Sequence, residues 1–363
     1  MSILTVIILI FALIGAIDWL IGNKLGAGRE FERAFALFAP MALSMLGMIV
    51  LAPAIGVWLT PIFEGFYRLF KIDPSIIPAS LLANDMGGMA LAQTVCKSRE
   101  IGNYNAFVVS SMMGCLISFT LPFSLGMVKK NQHNELFVGI LCGIATIPVG
   151  GFLAGLTCGI PPVELLINLL PLILLGVLIG LALVFCRKAC IKCFSVFGAF
   201  MRFLSLSGLV CAVFTFLTKI EINPYFESFE NAAFICANAC VTLSGALPFM
   251  FLLTKILNKP LGYLGSKMGI NSISALAFLG SLVTNASTFG VMEKMDKKGV
   301  VLNSAFAVSA SFVLGAHLAF TMAFDGSYIL PMIVGKIVSG ICAVLLAFVM
   351  YREKATDPIQ SNS

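Results

Sequence analysis

Long apolar stretches alternate with short polar turns along the whole chain. The apolar segments fall at roughly 2–22, 35–59, 75–96, 103–128, 136–160, 163–186, 199–220, 231–257, 272–292, 300–323 and 328–350. A helix crosses a bilayer core in about 20 residues, so the pattern predicts an all-α polytopic membrane protein with about eleven hydrophobic segments. Two of them are interrupted near the middle. The third carries Asn84-Asp85-Met86-Gly87-Gly88. The ninth carries Asn285-Ala286-Ser287-Thr288-Phe289-Gly290, followed by Glu293, Lys294 and Asp296. Polar residues and glycines at membrane depth mark a broken helix or a re-entrant loop, which needs protein or a wet cavity to satisfy its backbone.

The interrupted segments resemble each other. SLLAND (Ser80–Asp85) is paralleled by SLVTNA (Ser281–Ala286), 201 residues on. NAFVVSS (Asn105–Ser111) is paralleled by SAFAVSA (Ser304–Ala310), 199 residues on. The reading is a single transport domain over 1–358 with repeats at 35–160 and 231–350, then a polar, disordered tail at 359–363.

Composition narrows the class. The 363 residues are 59% hydrophobic and 11% charged, against about 45–50% and about 25% for soluble domains. A soluble enzyme of this size is excluded. The net charge of +6 is spread over loops with no long basic tract, so nucleic acid is not an expected partner. There is no Gly-x4-Gly-Lys-[Ser/Thr] motif for a nucleotide. No Ser-His-Asp or metal-ligand spacing appears, so neither enzyme chemistry, a metal nor a cofactor is expected. Most of the 11 cysteines sit singly in apolar runs as small hydrophobes. Cys186, Cys190 and Cys193 lack a fourth ligand.

Charge then decides the topology. If all eleven segments cross, the Lys and Arg residues flanking them, Lys336 aside, divide 11 against 11. If segments three and nine enter and leave on one side, the division is 17 against 5, with Arg68, Lys71, Lys97, Arg99 and Lys219 as the minority. Only the second arrangement obeys the positive-inside bias. It gives nine full crossings plus two re-entrant segments, the N-terminus outside and the C-terminus in the cytoplasm. The two repeats are then inverted, an arrangement common in secondary transporters.

The polar groups in this apolar setting are the candidate chemistry. Asp85 is the strongest, because a carboxylate at mid-depth needs a cation, a proton or several donors. Gly87, Gly88 and Gly290 are read as re-entrant hinges. Asn84 and Asn285 hold corresponding positions, and Ser281, Thr284, Ser287 and Thr288 offer hydroxyls for a small polar ligand or for unwound backbone. His317 is an intramembrane imidazole fit either for proton chemistry or for a bond between helices. Asp18 and Lys336 are the remaining charges in apolar runs, read as structural or coupling charges. A pair between them would lower the cost of both. Glycines at 151, 155 and 159, and at 176 and 180, make small-residue ridges for helix packing or for homo-oligomer contact.

Several stretches together resemble the bacterial ethanolamine permease family of the ethanolamine-utilisation systems. They are DPSIIPASLLANDMGG (Asp73–Gly88), VSSMMG (Val109–Gly114), ATIPVG (Ala145–Gly150), FGVMEKMDKKG (Phe289–Gly299), NSAFAVSASFVLGAHLAF (Asn303–Phe320) and PMIVGKIVSG (Pro331–Gly340). The resemblance spans nearly the whole chain. It departs at Ala316, where the family pattern has an acidic residue before the histidine. The resemblance implies uptake of ethanolamine, a protonated amino alcohol, across the inner (cytoplasmic) membrane of a bacterium. Asp85 then faces the ammonium, while Asn84, Asn285 and the nearby hydroxyls orient the hydroxyl. Proton or sodium coupling stays open. Two alternatives remain: an ion-coupled carrier of another small amine or amino acid, and a non-transporting membrane sensor or scaffold.

Overall fold

The computed structural model describes residues 3–351; the expected tail at 359–363 lies outside them. Among the described residues all regular elements are helical. α1 (Ile3–Leu20) is apolar until Asp18. The Asp18 carboxylate accepts the backbone N–H groups of Leu25 and Gly28, each at 2.8 Å. It thereby caps the start of α2 (Ala27–Trp58), where the first N–H groups lack helical partners and the dipole favours a negative charge. Asp18 is engaged by this turn and makes no pair with Lys336, which corrects the expected pairing.

α3 (Thr60–Phe70) leads into the first interrupted segment. That segment is a hairpin: α4 (Ile76–Leu81), a single tight turn at Asn84–Met86, then α5 (Gly88–Val95). Its two ends meet. The Asp73 carboxylate accepts from the N–H groups of Lys97 at 2.9 Å, Ser98 at 2.8 Å and Ser75 at 3.0 Å. Next come α6 (Arg99–Met127), α7 (His133–Thr157), α8 (Pro162–Phe185), α9 (Arg187–Thr218) and α10 (Phe229–Met268). The second interrupted segment is a hairpin too, of α11 (Ser272–Val283) and α12 (Asn285–Phe289) broken at Thr284. Asp296 closes its base. It accepts from the Asn271 N–H at 2.9 Å and the Ser274 hydroxyl at 2.7 Å, and the Asn271 amide donates to the Lys294 carbonyl at 2.9 Å.

The tenth segment is not one helix. α13 (Lys297–Ala310) stops, Ser311–Gly315 unwinds, and α14 (Ala316–Phe324) resumes. The unwound N–H groups of Phe312 and Leu314 donate to the carbonyls of Ser281 and Leu282, at 3.0 and 2.8 Å. Two broken segments thus satisfy each other's backbone away from water. α15 (Ile329–Met350) completes the fold. Seven helices among the described residues are long and apolar enough to cross a membrane. α1 is shorter, and the α13–α14 segment is interrupted.

α6 is the buried axis of the molecule. Two stretches, Asn105–Gly114 and Leu116–Thr120, are widened π-helix, a form that often marks functional positions. Gly114 lies against the Leu82 carbonyl, and Gly315 lies against the Val283 carbonyl; any Cβ would collide in both places. The two glycines are 201 residues apart, and so are the two carbonyls. The hairpins are rooted at opposite ends of α6. The Asp73 root sits beside the start of α6 through Ser98. The second hairpin meets its far end, where Lys129 pairs with Glu293 and the Gln132 amide donates to the Met292 carbonyl at 2.9 Å. On α7, Gly155 receives Leu165 of α8, and neighbouring Gly150 lies against the Gly335 carbonyl of α15. Gly151 and Gly155 of the first ridge therefore pack inside the bundle, whereas Gly159 lies past the end of α7 with open space around it.

Candidate functional site

Asp85 sits on the tip of the first hairpin with a fifth of its side chain exposed. It faces a cavity of about 520 Å³, whose inner wall is Asp85, Cys115, Phe119, Phe312 and His317. Of its other lining residues, Gly126 and Met127 at the end of α6 and Arg202 of α9 are exposed and mark its mouth, while Gly198 of α9 is buried. The tip is held open by glycine. Gly87 adopts a left-handed φ of 90°, and a Cβ there would meet Met48 of α2. Gly88 lies against the Leu82 carbonyl. Gly290 has ordinary helical angles, φ −66° and ψ −23°, and what calls for glycine there is space: a Cβ would stand 2.8 Å from the Ala286 carbonyl oxygen.

His317 stands in the first turn of α14, with Nε2 3.9 Å from an Asp85 carboxylate oxygen. That is too long for a direct hydrogen bond. The first turn of α14 thus lies beside the carboxylate. Lys336 of α15 is wholly buried. Its ammonium donates to the Ser111 carbonyl in the π-helical part of α6 and lies within electrostatic reach of both Asp85 and His317. Lys336 therefore belongs to the Asp85 neighbourhood and not to Asp18.

An aromatic wall faces the carboxylate. The Phe312 ring packs 5.1 Å from the His317 ring and edge-on to Phe119 at 5.5 Å, and Phe119 stacks on Phe123 at 5.0 Å. Phe312 holds φ at 63°, a conformation that strains a bulky residue and persists where surrounding structure fixes it. Nothing in the sequence separates these phenylalanines from ordinary core residues, because the helical spacing of Phe119 and Phe123 serves packing as well as a ligand wall. The break at Ser311–Gly315 was equally hidden in an apolar run.

The asparagines differ in their surroundings. Both are buried. Asn285 Nδ2 donates to the Thr120 hydroxyl at 2.8 Å. Asn84 Oδ1 accepts the Asp85 N–H at 2.9 Å, but its Nδ2 has no hydrogen-bond partner among the described residues. The second hairpin's hydroxyls work inside that hairpin. Ser281 and Thr288 bond to each other at 2.7 Å, and Thr288 also donates to the Ala277 carbonyl at 2.9 Å. Thr284 accepts the Ala286 N–H at 3.3 Å and caps α12. Ser287 opens onto a different groove, against Leu276 and Phe251. None of these four lines the Asp85 cavity: they tie together the two arms of a broken helix or face the other groove.

Comparison with known proteins follows the same lines. The model of the family described as "Ethanolamine utilisation protein, EutH" matches residues 1–350. A "Probable ethanolamine permease EutH" of Listeria monocytogenes serotype 1/2a (strain 10403S) is 39% identical, over 96% of this chain and 94% of that protein. A protein of the same name from Escherichia coli (strain K12) is 36% identical, over 91% of this chain and 87% of its own length. An "Uncharacterized protein YxeR" of Bacillus subtilis (strain 168) is 34% identical over 93% of this chain and 91% of that protein. No solved structure matches. With the family match running from the first residue through the end of α15, the chain belongs to the EutH family of ethanolamine utilisation proteins.

Proposed function

We propose that this multi-pass membrane protein is a secondary transporter or facilitator that takes up ethanolamine across the bacterial cytoplasmic membrane by alternating access. The observation that carries the reading is the placement of Asp85. A lone carboxylate stands on the unwound tip of a hairpin, at the inner end of a cavity walled by phenylalanine rings. An ammonium group is drawn both to a partly desolvated carboxylate and to aromatic faces. A small protonated amine fits that chemistry, and relatives of this chain carry the name ethanolamine permease.

In this reading nine segments cross: α1, α2, α6 to α10, the broken α13–α14 pair and α15. The two hairpins dip in from opposite faces. The repeats at 35–160 and 231–350 are inverted, in keeping with the equal spacing of the Gly114–Leu82 and Gly315–Val283 contacts. The charge division assigns Lys129, Lys130 and Arg202 to the cytoplasm. The cavity mouth at Met127 and Arg202 then opens inward, and the described conformation is the one that releases substrate into the cell. His317 and Lys336 set the charge of the site. With Asp85 ionised and Lys336 protonated, the empty site is near neutral, and an incoming ammonium adds one charge that the aromatic wall and the Asp85 carboxylate share.

The test is uptake of labelled ethanolamine into proteoliposomes. Asp85→Asn is expected to abolish saturable uptake at acidic pH while the protein remains folded in the membrane. Unchanged saturation kinetics in that variant would remove Asp85 from the substrate site. Counterflow with and without imposed proton and sodium gradients separates a facilitator from a symporter.

A further inference from the structure

The two hairpins share a pattern of polar residues but satisfy it to different extents: among the matched groups the second leaves only Asn285 Oδ1 open. In the second hairpin Ser281 bonds Thr288, and the Asn285 amide donates to Thr120 of α6. The positions 201 residues away are Ser80, Gly87 and Asn84 on the first hairpin, and Thr321 on α14. Gly87 stands where Thr288 stands, so Ser80 loses that partner. Ser80 Oγ, Asn84 Nδ2 and Thr321 Oγ1 are all buried, and none has a hydrogen-bond partner among the described residues. α14 packs on the Asn84–Met86 turn, and Thr321 stands one helical turn beyond His317, which faces Asp85. The open amide adjoins Asp85 in the turn and the open hydroxyl lies on the helix packed against that turn; both are fully buried, and neither is among the residues that line the cavity in this conformation. A buried polar group left unpaired costs about 1–3 kcal/mol, and in the second hairpin the hydroxyls and the amide N–H of this pattern are closed within the protein.

Resting on the transport reading above, we infer that Asn84 and Thr321 form a subsite that selects for the hydroxyl group of the amine. A hydroxyl is both donor and acceptor. It accepts from Asn84 Nδ2 and donates to Thr321 Oγ1, while the ammonium of the same molecule meets Asp85. One small amino alcohol thus bridges the pair that the Asn285–Thr120 bond joins directly in the other hairpin. A simple alkylamine satisfies Asp85 but leaves both groups unpaired, and sites built to bond a hydroxyl reject analogues that lack it.

The probes are ethanolamine and ethylamine, which carry the same ammonium and differ by the hydroxyl. Their uptake is compared in proteoliposomes of the full chain. The wild-type protein is expected to prefer ethanolamine by about tenfold or more in KM. Thr321→Val is expected to shrink that preference to about twofold by raising the KM for ethanolamine and leaving ethylamine unchanged, whereas Thr321→Ser keeps it. If Thr321→Val does not reach the membrane, Thr321→Ala carries the same comparison. Equal wild-type KM values overturn the subsite and leave the ammonium site standing. A variant that impairs both amines equally also overturns it, because that is how a purely structural Asn–Thr latch behaves. Saturable uptake of neither amine by the wild-type protein removes the transport reading, and the subsite with it.

Discussion

A carboxylate in an apolar bundle is costly unless charge and dipoles are arranged around it. At Asp85 they are: the buried Lys336 ammonium, the start of α14, and the open side of the cavity. Breaking a buried charge arrangement by removing one member typically costs about 3–5 kcal/mol, because the other charge is left uncompensated. Lys336→Met is therefore expected to lower the melting temperature of the purified protein markedly, and Asp85→Asn introduced on top to recover part of the loss. The double-mutant cycle should give a coupling of about 1 kcal/mol or more. Strict additivity would mean that the two charges do not share a site. Gly87 is a second residue with a physical requirement. Its left-handed backbone and the Met48 side chain beneath it leave no room for a Cβ, so Gly87→Ala is expected to cost about 1–3 kcal/mol and to impair uptake. Gly290→Ala avoids the left-handed strain, its φ being −66°, but its Cβ would stand 2.8 Å from the Ala286 carbonyl oxygen, so it too is expected to lower the melting temperature. Both are read from thermal melts of the purified protein.

At the level of elements, the hairpins are defined as much by their bases as by their tips. One aspartate closes each: Asp73 by gathering the N–H groups of Lys97 and Ser98, Asp296 by gathering Asn271 and Ser274. Charge-assisted hydrogen bonds of this kind are worth about 1.5–3 kcal/mol each. Asp73→Ala and Asp296→Ala should each loosen one hairpin only. The check is hydrogen exchange, faster over 75–96 in the first variant and over 272–292 in the second. The breaks at Asn84 and Thr284 could be read from the sequence because Asn, Asp and Gly are out of place in an apolar run. The break at Ser311–Gly315 could not. Its residues, Ser-Phe-Val-Leu-Gly, are mostly apolar, and they unwind because the carbonyls of Ser281 and Leu282 reach across from α11. That contact joins residues some thirty positions apart, which no local pattern reports. Asp85, Asn84 and His317 stood out for the same reason as the hairpin breaks, and Phe312, Phe119 and Thr321 were hidden because aromatic and small polar residues are common inside helical bundles.

For the whole molecule, the decisive property is which face reaches Asp85. Cys115 lines the same cavity as Asp85 and is otherwise buried, so it reports access through the mouth at Met127 and Arg202. In a chain whose other cysteines are replaced by alanine, a small cationic thiol reagent on the cytoplasmic face is expected to modify Cys115 and to block transport. Ethanolamine present on that face should slow the reaction, since the reagent's ammonium and the substrate compete for one carboxylate. The same reagent applied outside should react slowly, because the proposed topology puts the hairpin rooted at Asp73 and Lys97 between Cys115 and the outer face. Single cysteines at Lys71 and Lys130, in a cysteine-free chain, then fix the orientation. The first should label from outside and the second from inside, as the 17-to-5 division of positive charge requires. Labelling of both from one face would overturn the nine-crossing arrangement. Labelling of Cys115 at equal rates from both faces would replace the carrier with an open pore, since alternating access admits the reagent from one side at a time.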